Sequence, residues 1–250
     1  SQATAAQPNF VVIFCDDLGY GDLGCYGSTK NRTPRIDALA SEGMRFTDFY
    51  SSSPVCTPSR ASLMTGCYAR RVGIHEDATG HWVLIPRSRR GLNAAELTLP
   101  ETLKASGYAT TCIGKWHLGD QPDHLPTAHG FDSYFGIPYS NDMQNARRGD
   151  PPLPLVKQKK VIEAPADQAS LTQRYTAEAL DFIEANRDRP FFLYLPHTFP
   201  HLPLFASADF YGKSANGRYG DSVEEIDWST GQILDCLKRL GLENNTLVIF

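Results

Sequence analysis

Long apolar runs are missing from this chain. The longest, Phe10-Val-Val-Ile-Phe-Cys15, holds six residues, far short of the roughly 20 that a membrane-spanning helix needs, so no helical membrane span is expected. A surplus of positive charge is missing too. The 24 Lys and Arg are outnumbered by 28 Asp and Glu, for a formal charge of −4. That balance excludes the basic domain by which a general nucleic-acid binder is recognised. Cysteine is sparse: Cys15, Cys25, Cys56, Cys67, Cys112 and Cys236 are the six, and none forms a Cys-x-x-Cys pair. A disulfide scaffold and a structural zinc ribbon are thereby excluded, while the even number leaves disulfide pairing open. Internal repeats are absent as well.

What is present is ordinary globular composition, 41% hydrophobic and 21% charged over 250 residues, enough for a sizeable core. Residues 1–8, small and polar, read as a disordered or processed N-terminal segment of the kind left after removal of a secretory signal. Phe10–Cys15 reads as a strand buried on both faces. Thr33-Pro34 opens a helix that Gly43 ends, and a β-like run follows from Met44 to Tyr50. A helix starts near Pro58 and stops at Gly66. Another runs from Pro100 to Ser106, then a strand from Tyr108 to Ile113. Asp150–Pro165, with four prolines and Lys157-Gln-Lys-Lys160, reads as a surface excursion. A helix from about Thr172 to Asn186, a strand at 191–195, a long helix from about Asp221 to Leu240 and a strand at 246–250 complete the series. Such alternation predicts an α/β fold: a large, mostly parallel central sheet between helices.

Ligands in such sheets bind beyond the carboxyl ends of the strands. The first strand delivers Asp16 and Asp17 to that edge, the strand at 108–113 delivers Lys115 and His117, and the strand at 191–195 delivers His197 and His201. Adjacent Asp residues on a regular strand face opposite ways, so a turn at Gly19 and Gly21 is needed before both serve one ion. Two hard carboxylates favour Ca²⁺ or Mg²⁺; a turn closed by local backbone bonds is the alternative. In Cys56-Thr57-Pro58-Ser59-Arg60, Pro58 puts the thiol at or just before a helix N-terminus. There the helix dipole and Arg60 are expected to lower its pKa and to attract an oxyanion. A buried structural thiol is the competing reading. Arg87, Arg89, Arg90, Arg147 and Arg148 would guide an anionic substrate or simply be solvated.

Together these segments resemble the formylglycine-dependent (type I) sulfatases of the alkaline-phosphatase superfamily, most nearly the N-acetylgalactosamine-6-sulfatase and arylsulfatase A group. Cys56-Thr-Pro-Ser-Arg60 with Ala61-Ser-Leu-Met-Thr-Gly66 carries the signature. Asn9 to Asp22 looks like the family's metal-binding opening, and Gly114-Lys115-Trp116-His117 and His201-Leu-Pro203 match its later motifs in order. The resemblance runs from about Asn9 to Phe250, so residues 9–250 are expected to form an N-terminal catalytic domain. It implies that Cys56 is oxidised to formylglycine by a dedicated maturing enzyme and hydrated to a gem-diol. One hydroxyl attacks the ester sulfur; the second then loses its proton and expels sulfate.

By matched position, Asp16, Asp17 and the modified Cys56 are implied as ligands of Ca²⁺, with Mg²⁺ possible. Arg60 would fix the diol, Lys115 would contact diol and sulfate, and His117 would accept the diol proton. His201 would bind sulfate and protonate the departing oxygen, while His197 stays structural. The substrate implied is a sulfated saccharide, and the compartment secreted, periplasmic or lysosomal. The family completes its metal site with an Asp-Asn pair after a strand like 246–250 and adds a sulfate-binding Lys further on. Neither lies in this sequence, and the expectation is a chain that continues past Phe250 into the rest of the sheet and a smaller domain. The alternatives are a phosphonate or phosphate ester hydrolase of the same superfamily and an inactive module that binds sulfated glycans.

Overall fold

The computed structural model describes residues 7–77 and 79–250; most of the expected N-terminal segment at 1–8 lies outside them. Seven strands form one sheet: β1 (Asn9–Phe14), β2 (Ala109–Ile113), β3 (Ser133–Gly136), β4 (Leu155–Lys157), β5 (Lys160–Glu163), β6 (Phe191–Pro196) and β7 (Thr246–Ile249). Their order is β5-β4-β3-β2-β6-β1-β7. The five strands from β3 to β7 across the sheet run parallel, as the alternation of strands and helices predicts. Val11 pairs with Leu193 and Ile13 with Leu195.

The helices are α1 (Pro34–Glu42), α2 (Cys56–Thr65), α3 (Leu99–Ala105), α4 (Leu171–Ala185) and α5 (Gly217–Arg239). Successive side chains on a strand point to opposite faces, and both faces here are covered. Val11, Ile13, Leu193 and Leu195 pack with Tyr175 and Ile183 of α4 and Ile226 and Ile233 of α5. Cys112, Phe192 and Tyr194 pack on the other face with Met64 of α2, Trp116 and Phe131. Burial on both faces is why these strands read as continuous apolar runs rather than alternating ones.

Three segments depart from the expected series. Met44–Tyr50 is not a strand; it runs irregular and exposed, with Met44 and Tyr50 among the most exposed large side chains. Residues of high β propensity form a strand only where a neighbouring backbone pairs with them, and no strand lies beside this segment among the described residues. Asp150–Pro165 is more ordered than a surface excursion. β4 and β5 make an antiparallel hairpin that extends the sheet beside β3, and Leu153 and Leu155 are fully buried. The four prolines flank the two strands rather than interrupting them, where the missing N–H costs the ladder nothing. β3 itself, four residues ending in glycine, is too short to leave a periodic signal. α2 begins at Cys56 rather than Pro58, and α5 begins at Gly217, four residues before its expected start.

Candidate active site

The parallel strands bring their carboxyl ends to one edge, and the expected polar residues assemble there. β1 and β6 are cross-tied just past their ends, where the His197 amide donates to the Phe14 carbonyl at 2.7 Å and the Asp16 amide to Phe199 at 3.4 Å. Lys115 follows Gly114, whose place is dictated by crowding. A Cβ at Gly114 would lie 2.0 Å from the Pro196 carbonyl oxygen. From there the Lys115 ammonium donates to the Asp16 carboxylate and, at 2.9 Å, to the Ser140 hydroxyl. Ser140 Oγ lies 3.5 Å from His201 Nε2, which is 3.7 Å from Asp17 Oδ2. Asp17 adopts a left-handed backbone with φ of 66°, the bend by which two adjacent carboxylates join one circuit. His201 Nδ1 lies 2.5 Å from the Leu202 carbonyl. The facing oxygen only accepts, so Nδ1 carries the proton.

Cys56 is the first residue of α2, with Val55 at the N-cap. Its sulfur lies 3.1 Å from His117 Nδ1. His117 Nε2 lies 2.8 Å from the Leu84 carbonyl, which only accepts, so Nε2 carries the proton and Nδ1 turns a lone pair to residue 56. Arg60, fully buried one turn into α2, donates to the Lys115 carbonyl at 2.5 Å and lies 3.6 Å from Asp16 Oδ2. Its Nε and Nη2 have no hydrogen-bond partner. A buried guanidinium with unused donors beside a helix N-terminus is suited to an oxyanion or a diol. Every expected site residue thus lies at this edge. The sequence reading missed Ser140, which links Lys115 to His201, because it depends on β3 for its place. It also missed the Leu84 carbonyl, since backbone acceptors leave no residue signature. His197 is buried, 3.5 Å from Ser229. Arg90 is spent on the Gly73 and Glu76 carbonyls, and Arg147 and Arg148 are exposed.

The family model for sulfatases matches residues 8–250. The chain belongs to the sulfatase family. It is 42% identical over 256 residues to N-acetylgalactosamine-6-sulfatase of Mus musculus, covering 97% of this chain and 49% of that protein. With human arylsulfatase A it shares 44% over 268 residues, 99% of this chain and 52% of the relative. A solved structure from the metabolism of multiple glycosaminoglycans by Bacteroides thetaiotaomicron superposes with a TM-score of 0.85 at 30% identity, covering 97% of this chain and 61% of that one. The chain spans about half the length of the curated relatives it matches.

In this sulfatase-family chain the site's electrostatics are set by burial against two cations. Burial works to raise the Asp16 carboxyl, but Lys115 and Arg60 outweigh it and hold the group at about 2. Burial drives His117 well below its ordinary value, and the Lys115 ammonium adds to this, so the ring is neutral. The Cys56 thiol is raised, contrary to the expectation from the helix end and Arg60. Desolvation is its largest influence and, with the Asp16 carboxylate, exceeds the lowering by Lys115, Arg60 and the Thr57 amide. An unmodified Cys56 is therefore a poor thiolate nucleophile. No group of three or more His, Cys, Asp or Glu side chains arranged to hold a metal occurs among the described residues. The donors that are present, the Asp16 and Asp17 carboxylates, are hard oxygens. Together with the bend at Asp17, they fit part of a Ca²⁺ or Mg²⁺ shell, which takes six or more oxygens in total.

Proposed function

We propose that the protein hydrolyses sulfate esters of carbohydrates, with residue 56 acting as nucleophile after oxidation to formylglycine. The observation that carries this reading is the pairing of the residue 56 side chain with a neutral His117 whose lone pair faces it at 3.1 Å. A raised thiol is a weak nucleophile, whereas a hydroxyl at the same point has a base in position to take its proton. Hydrated formylglycine supplies one hydroxyl that attacks the ester sulfur and displaces the alcohol, and a second whose proton His117 takes as sulfate is released. Asp16, Asp17 and the residue 56 side chain would hold Ca²⁺, or Mg²⁺, which supplies charge stabilisation and polarisation of the S–O bond.

The chain's own groups do the rest. Arg60 has no hydrogen-bond partner at Nε or Nη2, with Nη2 lying 3.6 Å from Asp16 Oδ2. Lys115 neutralises Asp16 and presents its ammonium to the sulfate, and His117 Nδ1 receives the proton of the elimination step. His201, whose Nδ1–H is held by Leu202, would bind sulfate and pass a proton to the leaving oxygen from Nε2 near Ser140 as the imidazolium, with both ring nitrogens protonated. Residues 9–250 act as the N-terminal catalytic domain in this reading, and the compartment is an exported one that also gives access to a formylglycine-generating enzyme. The test is the mass of the tryptic peptide Phe46–Arg60 from protein made in its natural host. An aldehyde in place of the Cys56 thiol is expected, together with turnover of an aryl sulfate in strong preference to an aryl phosphate diester. An intact thiol, or a preference for the phosphate, would overturn the reading.

A further inference from the structure

We propose that Thr57 is a positioning residue that fixes the tautomer and orientation of His117. Thr57 follows the nucleophile in the first turn of α2 and is 1% exposed. Its hydroxyl makes two bonds at once, donating to the His117 carbonyl at 3.0 Å and accepting from the Leu84 amide at 3.1 Å. Leu84 in turn offers its carbonyl to His117 Nε2 at 2.8 Å. The three residues close a loop of hydrogen bonds: Thr57 to the His117 backbone, Thr57 to the Leu84 amide, and Leu84 back to the His117 ring.

The loop has work to do. His117 adopts a left-handed backbone with φ of 58°, which a non-glycine residue keeps only when its surroundings hold it. The bond from Thr57 reaches the carbonyl of that strained residue. Leu84 belongs to an irregular segment with no strand or helix of its own; its side chain is buried in the core, and its backbone takes a separate anchor at the amide. That anchor is the Thr57 hydroxyl. Without it, the carbonyl that keeps the proton on Nε2 is free to move and the lone pair on Nδ1 is no longer aimed at residue 56. A hydroxyl on the residue after the nucleophile thus locks the base that serves the nucleophile, without touching substrate.

The role rests on the sulfatase reading for its kinetic consequence but not for its spectroscopic one. Thr57→Val keeps the shape and removes both bonds; Thr57→Ser keeps the bonds. In the full-length protein, with conversion of Cys56 checked by mass, Thr57→Val is expected to lower kcat about tenfold with KM within about twofold, since misorienting a base costs turnover rather than binding. Thr57→Ser is expected to restore kcat. Nitrogen-15 spectra of histidine-labelled protein, with the His117 signals identified by their loss in His117→Gln, should show the Nε2–H form in the wild type and a mixture of tautomers in Thr57→Val. An unchanged kcat in converted, folded Thr57→Val, or an unchanged His117 tautomer, would overturn the proposal. Should the wild-type protein turn over no sulfate ester, the sulfatase reading fails while the spectra still decide the role of Thr57.

Discussion

At the scale of single residues, the site is governed by which buried groups keep a charge. Asp16 keeps its charge because two cations face it, whereas His117 loses its own because burial and a neighbouring ammonium act in the same direction. His197 lies in the same fold but outside this circuit, and burial alone holds it at about 4. In the unfolded chain an imidazole titrates near 6.5. The unfolded state therefore takes up a proton between about 6.5 and 4 that the folded state refuses. Stability is complete above that window and declines as the pH falls through it. His197→Gln is expected to flatten the decline, read as the difference in denaturant midpoint between pH 7 and pH 4.5 for variant and wild type. If the two show the same difference, His197 is not the group responsible.

At the scale of elements, short pieces of chain are held by a few well-placed contacts. α3 is seven residues long and depends on its cap: the Thr98 hydroxyl accepts from the Glu101 amide, and the Glu101 carboxylate returns to the Thr98 amide at 2.8 Å. Thr98 Oγ also donates to the buried His129 carbonyl at 2.9 Å. Thr98→Ala is expected to cost about 1–2 kcal/mol in urea unfolding, the cap plus a stranded carbonyl; a loss below about 0.5 kcal/mol would deny the cap this role. β3 ends at Gly136, where a Cβ would lie 1.9 Å from the Gly114 carbonyl oxygen. Gly136→Ala must push β2 and β3 apart just before Lys115. Loss of folded yield, or of activity in whatever folds, is expected, and a fully active variant of unchanged thermal midpoint would contradict the close approach.

These elements also show what a sequence can and cannot announce. The buried strands β1 and β6 and the long helix α5 were legible because burial on one or two faces imposes a pattern on every residue of a long element. β3 and the β4–β5 hairpin were not, because each strand is three or four residues long and the hairpin gains its partner only from β3. Met44–Tyr50 was misread for the converse reason: its side chains suit a strand, but pairing is a property of a neighbour. The Cys56 thiol was misjudged likewise. The helix end and Arg60, which favour a lower pKa, stand in the sequence beside it, while the desolvation that raises it exists only in the fold.

At the scale of the whole molecule, a parallel sheet gathers segments separated by up to 185 residues, from Asp16 to His201, at one edge. The carboxylates of that edge are expected to bind a hard cation. Adding Ca²⁺ to full-length protein stripped with a chelator should restore activity and raise the thermal midpoint, by about 2.7 kcal/mol of added stability at a hundredfold excess over Kd. Asp16→Asn should abolish both responses. Equal responses in wild type and variant would place the ion elsewhere.

The sequence by itself determined the family, the α/β alternation and the identity of the charged and nucleophilic groups, because motif spacing and hydrophobic pattern are written residue by residue. Only the tertiary structure decided which nitrogen of His117 faces residue 56, that Ser140 joins Lys115 to His201, and that Thr57 ties Leu84 to His117. Those outcomes depend on backbone carbonyls, desolvation and contacts between distant segments, and none of these exists until the chain has closed on itself.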